Sequence, residues 1–129
     1  MHIGAVTLVV PDYDAGIDFY VGTLGFDLVC DEDQGAGKRW VLVSPAESET
    51  ALLLAKAVTA KQSAAIGAQT GGRVGFFLHS KDFDSDYTRM KANGVHFEEH
   101  PRSEPYGKVA VFQDPFGNRW DLLHLKKPT

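Results

Sequence analysis

VTLVVPDYDAGIDFYVGTLGFDL, residues 6–28, decides the fold because the chain writes its pattern twice. The second version is FFLHSKDFDSDYTRMKANGVHF, residues 76–97. Asp12, Tyr13 and Asp14 match Asp82, Phe83 and Asp84 at an offset of 70 residues. Ile17 and Tyr20 match Tyr87 and Met90, and Gly25 matches Gly94 one residue out of step. Self-similarity at a fixed spacing marks one supersecondary unit used more than once.

Each copy opens with apolar alternation, the period of a strand. Val6, Leu8 and Val10 face one way and Ala5, Thr7 and Val9 the other. Likewise Val74, Phe76 and Leu78 oppose Arg73, Gly75, Phe77 and His79. Asp12 and Asp82 then stand where a side-chain oxygen accepts from the orphan N–H groups of a first helical turn. Tyr13, Ile17, Tyr20 and Leu24 recur at helical spacing and Gly25 supplies a left-handed stop; Phe83, Tyr87, Met90 and Gly94 do the same. Aromatics at this spacing are expected in the core. Apolar runs follow at Phe26–Cys30, Arg39–Val43 and Thr50–Leu54, and again at Val95–Glu99, Lys108–Gln113 and Arg119–Leu125. DQGAGK (33–38), SPAESE (44–49), EPYG (104–107) and DPFGN (114–118) separate them as turns.

The prediction is an α+β fold of two tandem βαβββ units. They form a single domain over 1–129, with a first unit 1–55, a linker 56–72 and a second unit 73–129. Within the linker, Thr59 and Gln62 have capping-box spacing, so a short helix to about Gly67 is expected. In the last strand Trp120 and Leu122 oppose Arg119, Asp121 and Leu123, which assigns Trp120 to the helix-side core.

Composition bounds the function. The chain has 129 residues, 43% of them hydrophobic and 23% charged, with a net charge of −4. That describes one ordinary globular domain and excludes disordered and fibrous classes. No block of like charge offers a footprint for nucleic acid or an anionic membrane. The longest apolar run, Ala5–Val10, is too short to span a bilayer. No basic stretch precedes it, so no secretory leader is expected and the predicted location is cytoplasmic. A lone cysteine, Cys30, rules out an internal disulfide framework and a cysteine zinc cage, and is expected to pack as a small side chain. GxGxxG, P-loop, GxSxG and HExxH patterns are absent.

Two βαβββ units with the opening PDYDAGIDFYVGTLGF (11–26) and the ending DPFGNRWDL (114–122) resemble the vicinal oxygen chelate superfamily. This group includes glyoxalase I, bleomycin-resistance proteins, fosfomycin-resistance enzymes and extradiol dioxygenases. The resemblance covers nearly the whole chain. It implies a curved, cup-like mixed sheet with helices on the outer face, and a homodimer. It also implies four metal-ligand positions: seven residues before each Asp cap, one on the fourth strand, and one four residues after the glycine of DPxGN. Here those positions are Ala5, Gly75, Leu52 or Leu53, and Asp121. Only Asp121 can ligate, and a divalent cation needs several donors. No metal and no cofactor is expected. His2, His79, His96, His100 and His124 show no recognised metal spacing and are expected on the surface or hydrogen-bonded.

Asp121 becomes the candidate catalytic group. The resemblance implies that the strands carrying Arg73 and Arg119 lie in opposite halves of the cup, and Asp121 is expected to pair with one of these arginines. An arginine with donors left over would bind an anionic or carbonyl-bearing ligand. Tyr106 and Trp40 are candidate ligand-contacting aromatics, with Phe77 on the same mixed strand face as Arg73. Glu98–Gly107 is expected to be a mobile loop that gates the site. Two readings stay open. One is a cavity protein that binds a small organic molecule without metal, for which the net charge admits a cationic ligand. The other is a lyase- or dioxygenase-type enzyme, metal-free or metal-dependent, that uses Asp121.

Overall fold

The computed structural model describes residues 1–126. Their contacts divide the chain into one unit of Met1–Ile66 and a second from Gly67 onward. The α+β class expected from the sequence is found, with one open mixed sheet in each unit.

In the first unit, β1 (Ala5–Val10) leads into α1 (Tyr13–Ile17), which continues as a π-helical turn over Asp18–Thr23. Asp12 caps α1 by accepting from the Ala15 N–H at 3.0 Å. Three strands follow: β2 (Asp27–Gly35), β3 (Lys38–Ser44) and β4 (Ala51–Lys56). Sheet order is β1-β4-β3-β2, with β1 and β4 parallel and the other pairs antiparallel. Leu8, Val10, Val41, Val43 and Leu54 are fully buried on the helix side, beneath Tyr13, Phe19 and Tyr20. Thr7, Leu53, Leu42 and Cys30 lie side by side in register across the four strands, on the opposite face. Period-two patterning therefore divides the sheet as the sequence implied. Inside the expected connector, α2 (Ala60–Ala65) starts on Thr59, whose hydroxyl oxygen accepts from the Gln62 N–H at 3.1 Å.

The second unit repeats the plan with β5 (Phe76–His79), α3 (Phe83–Ala92), β6 (His96–Phe97), β7 (Arg102–Glu104), β8 (Gly107–Gln113) and β9 (Arg119–Leu125). Its order is β5-β9-β8-β6, with β7 also on β8 and β5 parallel to β9. Asp82 caps α3 by accepting from the Ser85 N–H at 3.3 Å. Phe97, Phe112, Trp120 and Phe76 align in one cross-strand row. Their rings touch in sequence at centroid distances of 5.6, 5.7 and 4.7 Å. Tyr87 of α3 closes on Phe97 at 4.5 Å. Each such contact adds about 1 kcal/mol beyond the area it buries. Trp120 is in the core, as its parity required.

DPFGN is a closed turn. The Asp114 carboxylate accepts from the N–H groups of Phe116 and Asn118 and from the Asn118 amide at 2.9, 2.8 and 2.7 Å. The sixth expected strand shrinks to His96–Phe97, and the expected mobile loop Glu98–Gly107 contains β7 instead. Arg102 is the reason. Its guanidinium donates to Glu99 at 2.9 Å and to Glu104 at 2.6 Å, while Glu99 also accepts from the Val111 N–H of β8 at 3.0 Å. Among the described residues no helix is long and apolar enough to cross a membrane.

Two turns are set by backbone conformation. Ala36 and Gly37 join β2 to β3 with φ of 54° and 78°, the signature of a type I′ turn. Alanine in the left-handed region costs roughly 1 kcal/mol, so Ala36→Asn should stabilise the fold by about 0.5–1 kcal/mol, read as a higher thermal midpoint. Gly107 holds φ at 149°, and a Cβ there would collide with the His124 carbonyl oxygen. Gly107→Ala is expected to destabilise by about 3 kcal/mol in denaturant unfolding.

Candidate functional site

Each unit presents its own solvent-side sheet face. In the first, that face opens into a cleft of about 570 Å³. Thr7 and Val9 of β1, Leu53 and Ala55 of β4 and Trp40 of β3 line its floor, with Val58 and Gln62 from the α2 region on the rim. Trp40 is 38% exposed, so its indole is available to a ligand. Arg39 stands at one end, held by two carboxylates. It donates to Asp31 at 2.8 and 3.1 Å and to Asp14 at 2.9 Å. Its guanidinium lies 5.2 Å from the Tyr13 ring centroid, and its backbone N–H donates to the Tyr13 hydroxyl oxygen. Hydrogen bonds from Arg39 hold the Asp31 carboxyl below the usual carboxylate range.

The second unit's face carries most of the sequence-predicted site, arranged differently from expectation. β5 and β9 are neighbours in one sheet, with Phe77 opposite Asp121 and the Gly75 N–H donating to the Arg119 carbonyl. Arg73 and Arg119 are thus in the same unit, not in opposite halves. The expected pair between Asp121 and an arginine is not formed. Glu98 takes the Arg119 fork through two hydrogen bonds of 2.8 Å, and a third Arg119 nitrogen donates to the Gly72 carbonyl. Glu98 reaches Arg119 of β9 across β8, because its backbone N–H donates to the Val111 carbonyl of β8 just after the short β6, a geometry that the sequence spacing does not reveal. Those bonds lower the Glu98 pKa.

Asp121 makes no hydrogen bond or ion pair among the described residues. Burial pushes its carboxyl above the ordinary value; the Arg102 charge opposes that, Glu99 adds to it and Arg119 opposes it. Phe77 beside it is 59% exposed. Arg73 is exposed, and its guanidinium likewise has no partner among the described residues. Tyr106 is 50% exposed in the tight turn between β7 and β8. His124 donates through Nδ1 to the Ser80 carbonyl oxygen at 2.7 Å, since that oxygen can only accept.

The residues do not fit the superfamily's metal. Ala5, Leu52, Leu53 and Gly75 bring no side-chain donor, which leaves Asp121 alone. Among the described residues no three His, Cys, Asp or Glu side chains group to hold an ion. The sequence reading found Trp40 but missed Val58 and Gln62 as cleft residues. It placed Thr7 and Val9 on the mixed strand face without assigning them a role; strand parity was the signal that could have done so.

A family model described as Glyoxalase/Bleomycin resistance protein/Dioxygenase superfamily matches residues 2–122. The chain belongs to that superfamily. An uncharacterized protein of Shewanella frigidimarina is 52% identical over 93% of this chain and 90% of its own length. The crystal structure of TnmS3, an antibiotic binding protein from Streptomyces sp. CB03234, is similar with a TM-score of 0.79 and 31% identity, covering 98% of this chain and 97% of that one. UcmS2 has a TM-score of 0.83 and 30% identity over 95% and 97% of the two chains.

A carboxyl with a raised pKa costs stability while it is ionised. The folded chain then binds its proton more readily than the unfolded one, so stability is gained as pH falls through the folded pKa. Asp121→Asn is therefore expected to raise the thermal midpoint at pH 7. The gain should vanish below about pH 4, where the wild-type carboxyl is protonated in both states.

Proposed function

We propose that the protein binds a small, partly aromatic organic molecule in the first unit's cleft, without a metal. One observation carries this reading. A cleft of about 570 Å³ is floored by Val9, Leu53 and Ala55 and edged by the exposed Trp40 indole. Ligand pockets are typically concave, largely apolar and about 300–1,000 Å³ in size. Similarity to TnmS3, described as an antibiotic binding protein, supports a binding role over turnover. The reading includes a homodimer, as the superfamily resemblance implies, and a cytoplasmic location, in keeping with the single Cys30.

A second reading has one observation in its favour. The Asp121 carboxyl is held above its ordinary pKa beside exposed Phe77, as a general acid requires. Mass spectrometry of a bound ligand separates the two. Unchanged ligand after long incubation supports binding, whereas conversion that Asp121→Asn abolishes supports catalysis.

Calorimetric titration with a panel of polycyclic aromatic antibiotics tests the main reading. Saturable binding should appear, and Trp40→Ala should weaken it about ten-fold, or about 1.4 kcal/mol. Binding that ignores Trp40→Ala, or no binding by any member, would overturn it.

A further inference from the structure

We infer that the cleft selects an anionic aromatic ligand, a carboxylate or phenolate rather than an amine. This rests on the binding reading above and adds its charge class. Among the described residues the cleft lining contains Lys38, Arg39 and Lys56 and no carboxylate. Asp14 and Asp31 together outweigh Arg39 by one negative charge, and both lie outside the lining. Lys38 and Lys56 have no ion pair or hydrogen-bonding partner for their ammonium groups among the described residues. Among the described residues no ion pair links either lysine to the carboxylates that flank the cleft on β2, Glu32 and Asp33. Asp33 accepts from the Gly35 N–H at 2.8 Å, and Glu32, the cross-strand neighbour of Trp40 on β2, lies outside the lining.

The uncommitted polar groups of the lining are donors. Gln62 accepts from the Val58 N–H at 2.8 Å, so its oxygen is the atom engaged and its NH₂ is left to give. Tyr13 has its hydroxyl oxygen occupied by the Arg39 N–H and retains its own proton. A ligand that desolvates this cleft must therefore bring acceptors, and two ammonium groups favour acceptors that carry charge. The chain's net charge of −4 points the other way and is misleading, because local charge governs a cleft. Glu98, Glu99 and Glu104 are engaged by arginines in the second unit.

Three isosteric probes test the inference: pyrenecarboxylate, pyrenemethanol and pyrenemethylammonium, each followed by fluorescence anisotropy against the full chain. The carboxylate should bind about ten-fold tighter than the alcohol, with the ammonium weakest, and its advantage should shrink as salt rises. The double variant Lys38→Gln, Lys56→Gln should bring the carboxylate to the alcohol's affinity; both side chains are exposed, and circular dichroism checks the fold. Equal affinities, or a tighter ammonium, would overturn the anion preference while leaving the binding reading intact. Failure of every probe to bind the folded protein would overturn both.

Discussion

Strand register governs both halves of this molecule. Side chains alternate across a strand, so sliding β9 by one residue would put Asp121 among Phe76, Phe112 and Phe97 and leave Trp120 in solvent. The aromatic row across β6, β8, β9 and β5 makes that slip prohibitive, because every ring would lose its neighbour at once. In the first unit the fully buried set of Leu8, Val10, Val41, Val43 and Leu54 imposes the same discipline with aliphatic side chains. Once register is fixed, the residues on the other face have no choice of position. Thr7, Val9, Leu53, Ala55 and Trp40 become the floor and edge of a cleft because their neighbours in sequence are needed in the core.

Charge is distributed with equal economy. Arginines in both units act as structural clamps: Arg39 ties β3 to β2 and α1, Arg102 fastens β7, and Arg119 joins β9 to Glu98. Multidentate guanidinium–carboxylate contacts fix geometry in a way that a lysine does not. Other charged groups near the two sheet faces are left uncommitted. Asp121 is left without a partner on the second unit's face, and Lys38 and Lys56 border the first unit's cleft. The two units have thus diverged from a common plan toward different surface chemistry.

The superfamily's scaffold hosts several chemistries, so membership does not assign one. Loss of side-chain donors at Ala5, Leu52 or Leu53, and Gly75 separates this chain from the metal-dependent pattern. What remains is an apolar cleft beside an indole, bordered by hydrogen-bond donors. That combination suits recognition of a molecule's shape and charge.

The repeat, the Asp caps, the sheet parity and the closing DPFGN turn are all legible along the chain. All of these are short-range: a cap needs a side chain within a few residues of its N–H groups, and parity needs only the local alternation of polar and apolar positions. The sequence also placed Trp120 in the core and identified Trp40 as a candidate contact. Tertiary structure alone decided the pairings. Arg119 meets Glu98 rather than Asp121, Arg102 turns an expected loop into β7, and α2 brings Val58 and Gln62 to the cleft. Those outcomes depend on which strand lies beside which, and on how far a long flexible side chain reaches across the sheet. Neither quantity is written in the spacing of residues along the chain.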